Sequence, residues 1–176
     1  MQLGIKRLIK IIIVILLISN SLSGQTTDQK AFIGDWVWQN GNKTFIVKLF
    51  TEQDNNGEYH IEGDFRMEEN NNGNIITTYT SEKLLGILNG VNQYDKSSIY
   101  GNVYTSGKFG GSVRDNILAG DGFHITKRGH ITITIQNSCS TCPIKAKWKV
   151  KEVYGARTTS VPKDFSIPTD IILTKQ

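Results

Sequence analysis

From Trp36 onward the apolar residues of this chain recur at every second position. In 59–67, Tyr59, Ile61, Phe65 and Met67 fall on one side of an extended strand, and His60, Glu62, Asp64 and Arg66 on the other. Successive strand side chains point to opposite faces, so this spacing describes a strand with one face on a core and one in water. Ile131, Ile133 and Ile135 alternate in the same way with His130, Thr132 and Thr134, and Ala146, Trp148 and Val150 with Lys145, Lys147, Lys149 and Lys151. No window of a dozen residues carries a helical stripe, so the expected class is all-β. Further strands are expected at 43–51, 74–84, 98–105, within 113–126, and at 170–175. The segment 82–95, with Leu84, Leu85, Ile87 and Leu88, suits a strand end or a short helix equally.

Between these runs lie turn formers: Asp54-Asn55-Asn56-Gly57, Asn70-Asn71-Asn72-Gly73, 107–111, and Lys127-Arg128-Gly129. Asn, Asp and Gly tolerate the positive φ of tight hairpins, so consecutive strands pair antiparallel. About eight to ten strands are expected. A sheet of that size closes into a barrel or splits into two layers, because open edges invite aggregation. An up-and-down barrel is the first expectation and a β-sandwich the second.

The opening residues set the compartment. Lys6, Arg7 and Lys10 precede an apolar run from Ile11 to Ile18, followed by Ser19, Asn20 and Ser21. That is the pattern of a cleavable signal peptide over 1–24, leaving one β-domain over 25–176 that is secreted or periplasmic. The run is shorter than the roughly 20 residues a membrane-spanning helix needs. Taking Lys6, Arg7 and Lys10 from the 20 basic side chains leaves 17 against 16 acidic ones. The exported chain then lacks a global basic field, and neither nucleic acid nor membrane is expected as a partner.

At the head of the first strand stands Phe32-Ile33-Gly34-Asp35-Trp36-Val37-Trp38. Gly-x-Trp opening an exported β-domain of this length resembles the lipocalin and lipocalin-like signature. The chain is also similar to small exported bacterial proteins of unknown function in which Gly-x-Trp is followed by Asn-Gly-Asn-Lys-Thr-Phe, here Asn40 to Phe45. The resemblance implies an antiparallel barrel in which Gly34 lets the chain enter the base, Trp36 plugs that end, and Lys175 from the last strand lies across the indole. By the same alternation Trp38 points inward one layer above the plug. With Tyr59 and Ile61 it forms the expected lining of an apolar pocket, set against simple core packing.

Other candidate chemistry is sparse. Cys139 and Cys142 are close enough for a disulfide pinning a turn, a closure worth roughly 2 kcal/mol. His60, Glu62 and Asp64 share a strand face, read as solvent-facing, and no metal or other cofactor is expected. No Gly-x-Ser-x-Gly or His-Glu-x-x-His segment occurs. The leading expectation is therefore a non-enzymatic barrel binding a small apolar ligand or a partner. The alternatives are a surface structural or glycan-binding module, in which the alternating lysines meet an anionic polysaccharide or lipid headgroup, and a secreted enzyme with an unfamiliar site. Nothing in the sequence fixes the oligomeric state.

Overall fold

The computed structural model describes residues 26–82, 84–88, 91–94, 97–115, 127–136, 139, 141–153 and 164–176, with 84–88 and 91–94 described as backbone only. The segment 1–24 lies outside the described residues. A short helix, α1 (Thr27–Phe32), is followed by eleven strands: β1 (Gly34–Asn40), β2 (Lys43–Gln53), β3 (Tyr59–Asn71), β4 (Asn74–Thr80), β5 (Leu84–Leu88), β6 (Val91–Tyr94), β7 (Ile99–Thr105), β8 (Lys108–Asp115), β9 (Lys127–Gln136), β10 (Lys145–Glu152) and β11 (Asp170–Lys175).

Hydrogen bonding runs β2-β1-β11-β10-β9-β8-β7-β3, and β2 pairs back onto β3, so eight antiparallel strands close a barrel. The first fold expectation holds and the sandwich does not. Closure leaves no edge among these eight, while β4 lies outside as a ninth strand and β5–β6 forms a separate hairpin. The thirteen-residue β3 makes this possible. Ile61 to Gly63 pair with β7, whereas Arg66 to Asn71 pair with β4 on the same side. Where β3 passes from one neighbour to the other, Ser81 takes over the ladder: its backbone N–H donates to Phe65 O and its Oγ accepts from Phe65 N.

Four details of the strand reading change. The expected 74–84 strand ends at Thr80, before the switch at Ser81. Of the glycine-rich 107–111 segment only Gly107 is in the turn, because Gly110 and Gly111 lie in β8. A Cβ at Gly101 or Gly111 would lie 2.3 or 2.2 Å from a carbonyl oxygen of the facing strand, so these glycines let β7 and β8 close up. Lys127 to Gly129, read as a turn, open β9. The helix α1 has only six residues, too few to show periodicity, and is held by a capping box in which Thr26 and Gln29 satisfy each other's backbone N–H.

The inward rows make one core. Trp36, Phe45, Val47, Leu49, Ile61, Phe65, Ile99, Phe109, Val113, Ile131, Ile133, Trp148 and Leu173 are buried within it. Phe45 lies edge-on to Trp148 at 5.7 Å and tilted against Phe65 at 5.9 Å, so rings from β2, β3 and β10 meet across the interior.

Candidate functional site

One end of the barrel is closed by the segment around Gly34. This residue has φ +119°, a conformation that L side chains rarely adopt, while the space beside it would admit a Cβ at 3.5 Å from Lys175 Cε. Conformation, and not crowding, therefore calls for glycine. Trp36 is fully buried, and its indole N–H donates to Phe32 O at 2.7 Å. Lys175 stands opposite Trp36 on β11. Its Nζ sits 5.5 Å from the indole centroid and donates to Ala31 O at 2.8 Å, and burial lowers its pKa. Phe32 packs on Phe109 at 6.1 Å, so α1 covers the base.

The residues expected to line one pocket are not brought together. Trp38 is in register with Phe45, and Phe45 with Met67. Ile61 lies six residues before Met67 on the same strand, about 20 Å away at strand rise. Ile61 is fully buried, Trp38 half-buried against the core, and Tyr59 sits by α1, its carbonyl accepting from Gln29 Nε2 at 2.8 Å. None of the three lines the described cavities. The largest of these, about 440 Å³, lies outside the barrel between Ile46, Lys48, Phe50, Asp64, Arg66 and Glu82, where β3 changes neighbours.

The other end is built from charge. The inward series of β8, β9 and β10 end in Asp115, Lys127 and Glu152, with Asp115 opposite Lys127 in register. Asp115 is 0% exposed and Lys127 2%. Lys127 Nζ lies 3.3 Å from Glu152 Oε1 and 4.8 Å over the Phe165 ring. The strap 164–169 crosses this mouth: Ser166 N–H donates to Asp115, Trp148 Nε1 donates to Pro168 O at 2.7 Å, and Ile167 is buried. Tyr79 from β4 reaches Ser166 O, and its pKa is raised by burial and then by the Asp115 charge. A cavity of about 360 Å³ lies between the strap, Lys127 and Glu152. Sequence reading missed this cluster, whose only signal is a charge standing at an inward position of each strand.

The outer face of β7 to β11 stands apart from both ends. The registers lay it out as rows. Asn102, Gly110, Thr132, Lys149 and Asp170 form one. Tyr100, Ser112, His130 and Lys151 form the next, and Lys108, Thr134, Lys147 and Ile172 lie on the other side. Among the described residues of β8 to β11, Lys108, Arg114, Arg128, Lys145, Lys147, Lys149 and Lys151 point outward against a single acid, Asp170. Lys147 pairs with Asp170, and the hydrogen bond between them lowers the Asp170 pKa. The outer face of β2 and β3 is the reverse, with Glu52, Glu62, Asp64 and Glu68 against Lys48 and Arg66.

At the β7 edge of the basic face stand two exposed tyrosines, Tyr100 at 52% and Tyr104 at 62%. The β7–β8 register shifts between Val103 and Thr105, so Tyr104 is the extra residue of a bulge. A Cβ on Gly110 would lie 2.7 Å from Tyr104 Cε1, so the ring lies down over that glycine. Beside it a cleft of about 250 Å³ is lined by Thr26, Asp28, Gln29, Val103, Tyr104 and Thr105.

Among the described residues no three His, Cys, Asp or Glu side chains converge to hold a metal. The row read as solvent-facing is largely engaged: His60 is buried, 2.9 Å from Glu62 and tilted against the Tyr100 ring at 4.8 Å, and Asp64 accepts from Ser81 Oγ and Ser98 N. Cys139 and Cys142 form a disulfide between β9 and β10. No described helix is long and apolar enough to cross a membrane. The family described as of unknown function, DUF6705, matches residues 5–176. No curated protein and no solved structure matches the chain.

Proposed function

We propose that this chain, which belongs to the family of unknown function DUF6705, is a non-catalytic, exported binding protein that works through the outside of its barrel, on a polyanion. The observation that carries the reading is the segregation of charge. The face of β8 to β11 gathers seven basic side chains against one acid, although the chain past residue 24 is close to neutral. Alternate lysines on β10 stand about 6.6 to 6.8 Å apart along one face, a row of point charges suited to a repeating anion. Lysine, unlike arginine, imposes no bidentate geometry, so the row selects for charge density. The side-chain-filled interior supports the outside reading over an apolar ligand carried within. The disulfide supports an oxidising compartment.

The test is retention on immobilised dextran sulfate at low ionic strength. The protein is expected to bind, elute with salt as counterions screen the face, and lose retention when Lys147, Lys149 and Lys151 are all changed to Glu. Flow-through of the unaltered protein, or retention of the triple variant equal to the parent, would sink the reading.

A further inference from the structure

Resting on that reading, we infer that the anion is a carbohydrate, and that the bulge at Tyr104 builds a sugar platform joined to the lysine row. Three independent features converge on this ring. The bulge turns an extra residue out of β7, as bulges do where a side chain must be re-aimed. Gly110 leaves room for the ring to lie across the sheet, since a Cβ there would lie 2.7 Å from it. The ring nevertheless remains 62% exposed. A large aromatic held down on a strand surface while one face stays in water is oriented to stack on a flat apolar face of a ligand.

The surroundings name the ligand class. The cleft of about 250 Å³ beside Tyr104 carries Asp28, Gln29 and Thr26, and Asp28 Oδ1 already accepts a hydroxyl, that of Ser106 at 3.1 Å. With Gln29 and Thr26 committed to the helix cap and to Tyr59 O, the Asp28 carboxylate is the group that, beside the aromatic wall, suits the hydroxyls and apolar C–H face of a pyranose. From the ring, the row Asn102, Gly110, Thr132, Lys149 runs across three strands beyond β7. Gly110 to Lys149 is two inter-strand steps, roughly 10 Å. Nothing larger than threonine stands between them. A chain of sugars stacked at Tyr104 thus reaches Lys149 with its acidic substituents, which the Asp28 carboxylate repels toward the lysines. An inorganic polyphosphate would use the lysines and have no need of the cleft. The ligand is an acidic polysaccharide carrying carboxylate or sulfate groups.

Isothermal titration with three probes separates the claims: alginate, a polyuronate; inorganic polyphosphate, which has charge and no sugar; and dextran, which has sugar and no charge. Alginate binding is expected to weaken about tenfold in Tyr104→Ala and in Gly110→Ala, equivalent to an aromatic contact of about 1.4 kcal/mol. Polyphosphate binding should stay within about twofold. Gly110→Ala keeps every charge and the tyrosine itself but lifts its ring off the sheet, and thermal melts of both variants establish that the barrel is intact. Tyr104→Trp should keep alginate affinity by restoring a platform. If alginate and polyphosphate bind alike and neither variant distinguishes them, the sugar platform is overturned while the polyanion reading stands. If neither polyanion binds, both fall. Dextran bound as tightly as alginate would overturn the acidic class.

Discussion

The two ends of this barrel solve the same problem with opposite chemistry. At the base, Trp36 and Phe32 fill the opening with apolar area, and Lys175 finds a ring face at 5.5 Å and a carbonyl at 2.8 Å. At the mouth, Asp115, Lys127 and Glu152 stand where the inward rows call for apolar residues, and the 164–169 strap is hydrogen-bonded to the cluster through Ser166. The base is a plug with a charge laid across it, whereas the mouth is a buried ionic assembly that is stable only when complete. A cation over an indole is worth about 0.5 to 2 kcal/mol. A buried charge stripped of its partner costs several kcal/mol, even where replacing the whole set by apolar residues is nearly neutral.

The contrast breaks first at the base. Trp36→Ala removes the largest buried side chain there and leaves a cavity between Phe32, Val47 and the opposing strands, with an expected loss of about 4 kcal/mol. Urea unfolding followed by the fluorescence of the remaining tryptophans measures it. A loss below about 2 kcal/mol would mean that α1 collapses into the space, and that the base is held by the helix cap instead of the indole.

The mouth should respond in two steps. Lys127→Ala deprives Glu152 of the ammonium 3.3 Å away and removes the cation opposite Asp115 in the ladder, at an expected cost of about 3 kcal/mol. The pair Lys127→Met with Glu152→Leu removes charge from both sides and should recover at least half of that loss. Such recovery is non-additive by construction, because the two groups touch. Equal losses for the single and double variants would show that the mouth resents lost packing, as the base does, and the distinction between the ends would dissolve.

This contrast also explains what the sequence made legible. The barrel followed from period-2 alternation, and the base was expected only through the resemblance of Gly34-Asp35-Trp36 to a lipocalin-like start, whose residues lie together in the chain. The mouth has no such trace. Its charges come from the ends of three strands, 12 residues apart between Asp115 and Lys127 and 25 between Lys127 and Glu152. Each looks locally like an ordinary solvent-facing terminus. Arg128 and Gly129 give Lys127 the look of a turn residue, yet its parity with Ile131 and Ile133 already places it inside. The apolar pocket failed for a related reason: alternation tells which side of the sheet a residue takes, not how far along the barrel it lies. Trp38 and Ile61 share a side and differ in height. On the outer face the lysine row was visible, but Tyr104 was not, since its role depends on a bulge and on a glycine of the next strand.

The finest test of the mouth uses pH. Burial and the neighbouring Asp115 charge raise the Tyr79 pKa above its ordinary value of 10.0. A folded-state pKa above the unfolded one means that, beyond pH 10, the native protein holds a proton the unfolded chain releases. The contribution is therefore fully present below pH 10 and is lost as the pH rises further. Each unit above 10 would cost up to 1.4 kcal/mol for a fully buried group, and the half-buried phenol, partly screened by solvent, should give less than about 1 kcal/mol by pH 11. Tyr79→Phe has no proton to lose, so its urea midpoint should fall less than the parent's between about pH 9 and pH 11. Parallel falls for the two proteins would place the Tyr79 hydroxyl in contact with water, and the strap would then not seal the mouth as Trp36 seals the base.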